Sequence, residues 1–426
     1  SNEQLKDFPA FEPEKVDFGP VIQARFKVLK AVCRTFDRNA SEAKKKAFRR
    51  FCESNAYWLD DFALFVALKD AHDGRPWTQW EPELGARHPE AIKKAKTQYR
   101  VAIRHVKVLQ FLFDEQWTKL RELCHENGVK IVGDIPIFVA HDSADVWAHP
   151  ELYYLDDKGF PTLVAGVPPD YFSATGQLWG NPLYRWDEHK KTGFAWWVSR
   201  MRKIFSMVDI VRIDHFRGFE KYWEIPASET TAIRGRWVEG PGGALFDEMI
   251  RQLGDLPIIA EDLGIITPEV EALRDHFKFP GMRILQFAFG NDDKAADYRP
   301  ESYPPNCVVY SGTHDNDTTV GWFNSQAGAG STRSQEEINK ERQTILQYLR
   351  TDGHEIHWDL IELALRSNAN TVVIPLQDVL GLGSSARMNT PGVAGGNWSW
   401  RFKWDMLTPA MMERMKYLTR ATGRLR

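Results

Sequence analysis

The sequence predicts an α/β fold, a (β/α)8 TIM barrel with helical and loop insertions, and three observations predict it. First, from about Val129 onward apolar runs of strand length alternate with helical patterns, the order that builds a parallel sheet. Second, three of those runs end in an acid: residues 207–213 lead into Asp214, 256–260 into Glu261 and 307–314 into Asp315. A parallel barrel gathers the C-terminal ends of its strands on its working face, and a carboxylate is costly to bury unless it is paired or working. Third, residues 142–197 are rich in Gly, Pro and aromatics and interrupt the alternation, as insertions on the rim of a barrel's active face do.

The elements follow in order. Residues 41–55 and 89–127 are strongly helical, and the second pattern ends at Gly128, a good C-cap. Between them residues 57–68 supply one more strand-like element. Strands are expected near 129–139, 207–213, 256–260, 282–289, 307–312 and 371–376, with helices near 194–205, 244–253, 335–349 and 359–367. Thr267-Pro268-Glu269 is a helix start, with Thr as cap, Pro at the first position and an acid in the first turn, and Thr408-Pro409 opens a closing helix. The whole chain, 1–426, reads as a single catalytic barrel domain, with a mainly helical insertion at about 70–128 and an active-site rim insertion at about 140–200. Six confident strands and one weak one fall short of the eight a barrel needs. The simplest expectation is that the first strand is the one absent from this chain.

Composition narrows the function. A formal net charge of −3 over 426 residues gives no electrostatic case for nucleic acid or an anionic membrane surface. Four dispersed cysteines without a CxxC pair fit a reducing compartment. No apolar stretch approaches the roughly 18 residues of a membrane span. Sixteen tryptophans point first to a large core, although a sugar cleft also uses them because a pyranose face stacks on a ring.

The acids divide by surroundings. In a strand Arg212 and Asp214 share a face, so the guanidinium keeps the carboxylate ionised, as a glycosidic nucleophile must be; a structural ion pair is the competing reading. Glu261 follows an apolar strand and precedes Asp262, and burial beside a second carboxylate raises a pKa toward that of a general acid; a pair of helix-capping acids is the alternative. Thr313-His314-Asp315-Asn316-Asp317 offers groups for sugar hydroxyls, or simply a turn. Gly381-Leu382-Gly383-Ser384-Ser385-Ala386 mimics a dinucleotide-binding fingerprint but lies far from a first βα unit. His354-Glu355-Ile356-His357 has the wrong spacing for a zinc-binding HExxH helix. Retaining glycosyl transfer needs two carboxyl groups about 5–5.5 Å apart, and a third can grip the distorted sugar.

These residues lie in longer strings that resemble one family. They are Gly133-Asp134-Ile135-Pro136-Ile137-Phe138, Asp142-Ser143-Ala144-Asp145-Val146-Trp147, Val167-Pro168-Pro169-Asp170-Tyr171-Phe172 and Gly176-Gln177-Leu178-Trp179-Gly180-Asn181-Pro182. Arg212-Ile213-Asp214-His215-Phe216-Arg217-Gly218, Ala260-Glu261-Asp262-Leu263-Gly264, Gly312-Thr313-His314-Asp315-Asn316-Asp317-Thr318 and Gly395-Gly396-Asn397-Trp398 continue the match. Over nearly its whole length the chain resembles the 4-α-glucanotransferases, the amylomaltase or disproportionating-enzyme family, a branch of the α-amylase-like retaining barrels. The resemblance implies transfer of an α-1,4-glucan segment to the 4-OH of glucose or a malto-oligosaccharide. It implies Asp214 as nucleophile, Glu261 as acid/base and Asp315 as transition-state stabiliser, with Arg212, His314, Asp134, Asp170 and Trp179 in the sugar cleft and neither metal nor organic cofactor. Its expected partners are malto-oligosaccharides, starch or glycogen chains and glucose, for a monomer or weak homo-oligomer in a bacterial cytoplasm or plastid stroma. An α-glucan hydrolase on the same scaffold and a catalytically impaired glucan-binding protein are the rival readings. The family's Ser-Pro-Tyr loop and later Asn-Pro are not found at the start of this chain, which agrees with the strand count.

Overall fold

The computed structural model describes residues 8–169, 173–290, 295–328 and 334–425. Two compact units divide the chain: Lys27–Phe279, and Ser1–Phe26 together with Pro280–Arg426. Among the described residues ten strands occur: β1 (Val132–Pro136), β2 (Leu163–Val167), β3 (Gln177–Pro182), β4 (Ile210–Asp214), β5 (Lys221–Pro226), β6 (Arg236–Glu239), β7 (Ile258–Ala260), β8 (Gly281–Ile284), β9 (Cys307–Tyr310) and β10 (Thr371–Val373).

Within Lys27–Phe279 a parallel sheet runs in the order β1-β4-β7. Its centre, β4, is buried on both faces: Val211 and Ile213 are fully enclosed and Arg212 nearly so. That explains why its sequence is a near-continuous apolar run rather than an alternation. Helices Ala195–Met207 and Gly243–Leu253 return the chain between these strands, burying Trp197, Met201, Phe246 and Met249 in the same core. Each apolar side chain so buried is worth about 1.5–3 kcal/mol relative to exposure. Four of the eleven tryptophans of this unit, Trp77, Trp80, Trp147 and Trp197, are buried in that core. The helix Arg100–Glu126 ends as anticipated at Gly128, whose φ of 70° lets Val129 N–H reach Cys124 O at 2.8 Å and Gly128 N–H reach His125 O at 2.9 Å.

The strand-like reading of residues 57–68 fails, because they lie in a helix, Ala56–Ala71. Its Leu59, Ala63, Leu64, Phe65, Ala67 and Leu68 are buried, and an apolar run enclosed on most sides carries no period that separates helix from strand. The chain between β1 and β4 also contains structure that the alternation hid. An antiparallel sheet in the order β3-β2-β5-β6 begins in the rim insertion and extends beyond it to Glu239. Gly166 is required there, since a Cβ would stand 2.2 Å from Gln177 O across the β2–β3 pair.

In the other unit a parallel sheet runs in the order β10-β9-β8. Cys307, Val308 and Val309 of β9 are enclosed, with helices Gln335–Leu349 and Ile356–Arg366 packing Ile345, Ile356 and Leu360 near them. The strand expected over 282–289 stops at Ile284 and tightens into a 3-10 turn, Leu285–Phe287. Of the seven strands anticipated in the alternation, six are therefore present, each parallel to its neighbour. The N-terminal part of this unit is held by backbone bonds from Val16 N–H to Ser399 O (2.7 Å) and from Arg401 N–H to Glu14 O (2.9 Å). A helix, Phe18–Asn39, not anticipated from the pattern, follows it.

Candidate active site

Strand register assembles a cluster of charged side chains in the Lys27–Phe279 unit. In the parallel pair β1–β4, Asp134 stands opposite Arg212 and Pro136 opposite Asp214; in β4–β7, Ile213 stands opposite Ala260. Glu261 is the next residue after β7, and its N–H continues the ladder to Ile213 O at 3.1 Å. Asp134, Arg212, Asp214 and Glu261 thus leave three adjacent strands at the same end.

Arg212 organises the carboxylates. One guanidinium nitrogen donates to both oxygens of Asp134 (2.8 and 2.7 Å) and another to Asp214 Oδ1 (3.0 Å). Burial works against the Arg212 charge, but Asp134, Asp214 and Glu261 outweigh it and hold its pKa above the usual guanidinium value. The cation is permanent, and Asp214 stays ionised beside it by direct pairing.

Glu261 has the opposite character. Burial first, and the Asp214 charge second, push its pKa up to about 7, against the pull of Arg212 and of two backbone N–H groups. Its side chain keeps some accessible surface while its carboxyl group sits deep among protein atoms. Leu263 N–H donates to Oε1 at 2.8 Å and His215 N–H to Oε2 at 2.7 Å. Of two carboxyl groups at neighbouring strand ends, one is therefore paired with a permanent cation and the other is able to carry a proton near neutral pH.

His215 was missed by sequence reasoning. Its φ of +56° turns its N–H toward Glu261, a left-handed conformation uncommon for a non-glycine residue. Burial and the neighbouring Arg217 push its pKa down to about 3, so the ring is neutral. The ring meets Trp179 of β3 edge to face, at 4.8 Å between centroids, which ties the rim sheet to the strand-end acids. Asp262, fully enclosed, pairs with Arg274 on helix Pro268–His276, and Arg217 donates to Ile265 O while lying 3.8 Å from the Trp237 ring centroid. Both arginines clamp the loop that carries Glu261. A positive φ and a bond between residues 46 positions apart leave no mark in a single sequence.

His314 and Asp315 lie in the other unit, in the loop after β9. Asn389 Nδ2 donates to Asp315 Oδ1 at 2.6 Å, Arg387 donates to Asp315 O at 2.6 Å, and the His314 ring lies 3.4 Å from Asp315 Oδ2 and 5.2 Å from the Trp398 ring centroid. The turn reading of this segment holds: Asn316 Oδ1 accepts from Thr313 N–H (2.9 Å) and hydroxyl (2.8 Å), so the turn itself orients Asp315. Behind it, buried Asp378 accepts from the Ser311 hydroxyl and from both the N–H and hydroxyl of Thr319. The Gly381–Ala386 string supplies no dinucleotide site. It ends in a three-residue 3-10 turn, Ser384–Ala386, rather than opening a helix, and the Ser384 hydroxyl donates to Asp317. Asp170, with Tyr171 and Phe172, lies outside the described residues.

A paired anionic carboxylate beside a protonatable one, at the ends of parallel strands, is the equipment of a glycosyl-transferring enzyme. A family profile described as 4-alpha-glucanotransferase matches residues 1–408. A 4-alpha-glucanotransferase of Thermus thermophilus is 47% identical over 430 residues, spanning 99% of this chain and 83% of the relative. The Arabidopsis thaliana 4-alpha-glucanotransferase DPE1, chloroplastic/amyloplastic, is 45% identical over 88% of this chain and 63% of its own length. The solved amylomaltase from Streptococcus agalactiae in complex with acarbose superposes with a TM-score of 0.92 at 34% identity, covering 100% of this chain and 84% of that one. The chain belongs to the 4-alpha-glucanotransferase family, glycosyltransferases that act on α-1,4-glucans. The family's TIM-barrel-like α/β fold is the class the strand–helix alternation anticipated. Among the described residues no helix is long and apolar enough to cross a membrane.

Proposed function

We propose that Asp214 is the nucleophile, Glu261 the acid/base and Asp315 the group that stabilises the distorted sugar in a retaining double displacement. The observation that carries this reading is the contrast between Asp214, paired with the Arg212 guanidinium, and Glu261, whose pKa is pushed up to about 7 by burial and by its neighbour. In the first step protonated Glu261 gives its proton to the departing glycosidic oxygen as Asp214 attacks the anomeric carbon. In the second, ionised Glu261 takes the proton from the 4-OH of the acceptor sugar, which displaces Asp214 with net retention. Asp134 and Arg212 fix the direction of the Asp214 carboxylate, and His314, Asp170 and Trp179 bind the sugar chain. Transfer dominates hydrolysis when the acceptor excludes water from the glycosyl-enzyme, a task we assign to the segment 166–182.

The substrates of this reading are malto-oligosaccharides and starch or glycogen chains as donors, with glucose or an oligosaccharide as acceptor. We further infer a single catalytic domain, a monomer or weak homo-oligomer, and a bacterial cytoplasm or plastid stroma as its setting. Incubation with maltotriose tests the core of it. The wild-type chain makes longer oligosaccharides and glucose, and Asp214→Ala makes neither; undiminished elongation by that variant would refute the assignment.

A further inference from the structure

We propose that the helical part of the Lys27–Phe279 unit holds a second ligand site, one that takes a phosphorylated monosaccharide. A pocket of about 470 Å³ opens among helices Glu42–Ser54, Ala56–Ala71, Pro89–Gln98 and Arg100–Glu126. None of its lining residues lies on the strands or loops that carry the catalytic carboxylates.

Its charge is unbalanced. Five cations line it against two carboxylates, Glu53 and Asp60, in a chain whose formal net charge is −3. Two of the cations are held in place: Arg104 donates through Nε to Asp37 at 3.0 Å and lies 4.8 Å from the Phe48 ring centroid, and Lys107 pairs with Asp60. The other three, Arg49, Lys96 and Arg100, make no side-chain hydrogen bond or ion pair among the described residues. Unpaired cations from three helices, next to two that are already oriented, are the arrangement that receives a phosphate dianion.

The rest of the lining selects what carries the phosphate. Ile103 gives a partly exposed apolar contact for the C–H face of a pyranose, above the buried Phe48 and Leu64, and exposed Glu53, with no ion pair among the described residues, accepts from hydroxyls. The Phe48 ring is already engaged by Arg104, so it offers no open face on which a nucleobase would stack. The size and small number of cations suit one small ligand rather than a nucleic acid strand.

The test uses the full chain carrying Asp214→Asn, so that sugar turnover is removed, and titrates glucose 6-phosphate, inorganic phosphate and glucose by calorimetry. The hexose phosphate binds more tightly than either part alone. Adding Arg49→Ala and Arg100→Ala, both exposed positions, weakens it about a hundredfold, since each charge-assisted contact is worth roughly tenfold. Unchanged circular dichroism and an unchanged unfolding midpoint show that the variant keeps its fold. No binding of the hexose phosphate, equal binding by the Arg49/Arg100 variant, or inorganic phosphate binding as tightly as the sugar phosphate would each overturn the proposal.

Discussion

Replacing Glu261 by Gln removes a proton-binding site whose affinity is set by the fold, and the consequence is a stability change that depends on pH. The group's pKa lies at about 7 in the folded chain against an ordinary 4.5. A carboxyl with a raised folded pKa contributes stability that is present below its unfolded pKa and is lost as pH rises through the folded value. At about 1.36 kcal/mol for each tenfold change in proton affinity, the ionised Glu261 of the wild type costs about 3 kcal/mol above neutral pH. Most of that, roughly 2.5 kcal/mol, develops between pH 5 and 8.5. Glutamine never ionises and escapes this loss. It brings a separate penalty, because its amide nitrogen must face a backbone donor, either His215 N–H or Leu263 N–H, at about 1–3 kcal/mol. That penalty is independent of pH, so it cancels when the variant-minus-wild-type difference is compared at two pH values. Urea unfolding of both proteins at pH 5 and pH 8.5 gives the four free energies. The difference shifts in favour of the variant by about 2–3 kcal/mol at the higher pH. A difference that stays constant would refute the claim that burial and the Asp214 charge raise this pKa.

Three further outcomes follow from the same geometry. Arg212→Gln removes a cation that is bonded to Asp214 and that also lowers the Glu261 pKa, so both limbs of the kcat/KM profile move to higher pH, by about 1–3 pH units on the acid side; an unmoved profile contradicts the pairing. Asp378→Ala strands the Ser311 hydroxyl and both polar groups of Thr319 in a buried setting, and chemical denaturation should register a loss of about 2–4 kcal/mol. Trp179→Ala removes the ring that packs on His215, and its maltotriose product mixture should contain a larger hydrolysed fraction, read as reducing ends without chain elongation.

Much of this was legible in the sequence because parallel strands buried on both faces betray themselves as short apolar runs. The six such runs from Val132 to Val373 are the six parallel strands, and the acids at their ends are where register places Asp214 and Glu261. The Arg212–Asp214 ion pair was legible because the two residues share a strand face. What remained hidden has physical causes. The helix Ala56–Ala71 is apolar nearly all round, so its period was masked. The antiparallel sheet is built from strands of four to six residues whose partners lie across long loops, and Gly166, not an apolar pattern, permits its closest approach. His215 acts through a backbone N–H in a left-handed turn, and Asp262 through an ion pair with Arg274 twelve residues on; neither contact follows from residue type.

The division of labour between Asp214 and Glu261 is the central claim, and a trapping experiment tests it most directly. Glu261→Gln is treated with α-maltosyl fluoride, whose leaving group needs no protonation, and the digested protein is read by mass spectrometry. With deglycosylation slowed by loss of the base, a maltosyl adduct accumulates on the peptide containing Asp214, and added azide releases it as the α-azide. An adduct on any other residue, or none in Glu261→Gln while Asp214→Asn still becomes labelled, would contradict the account.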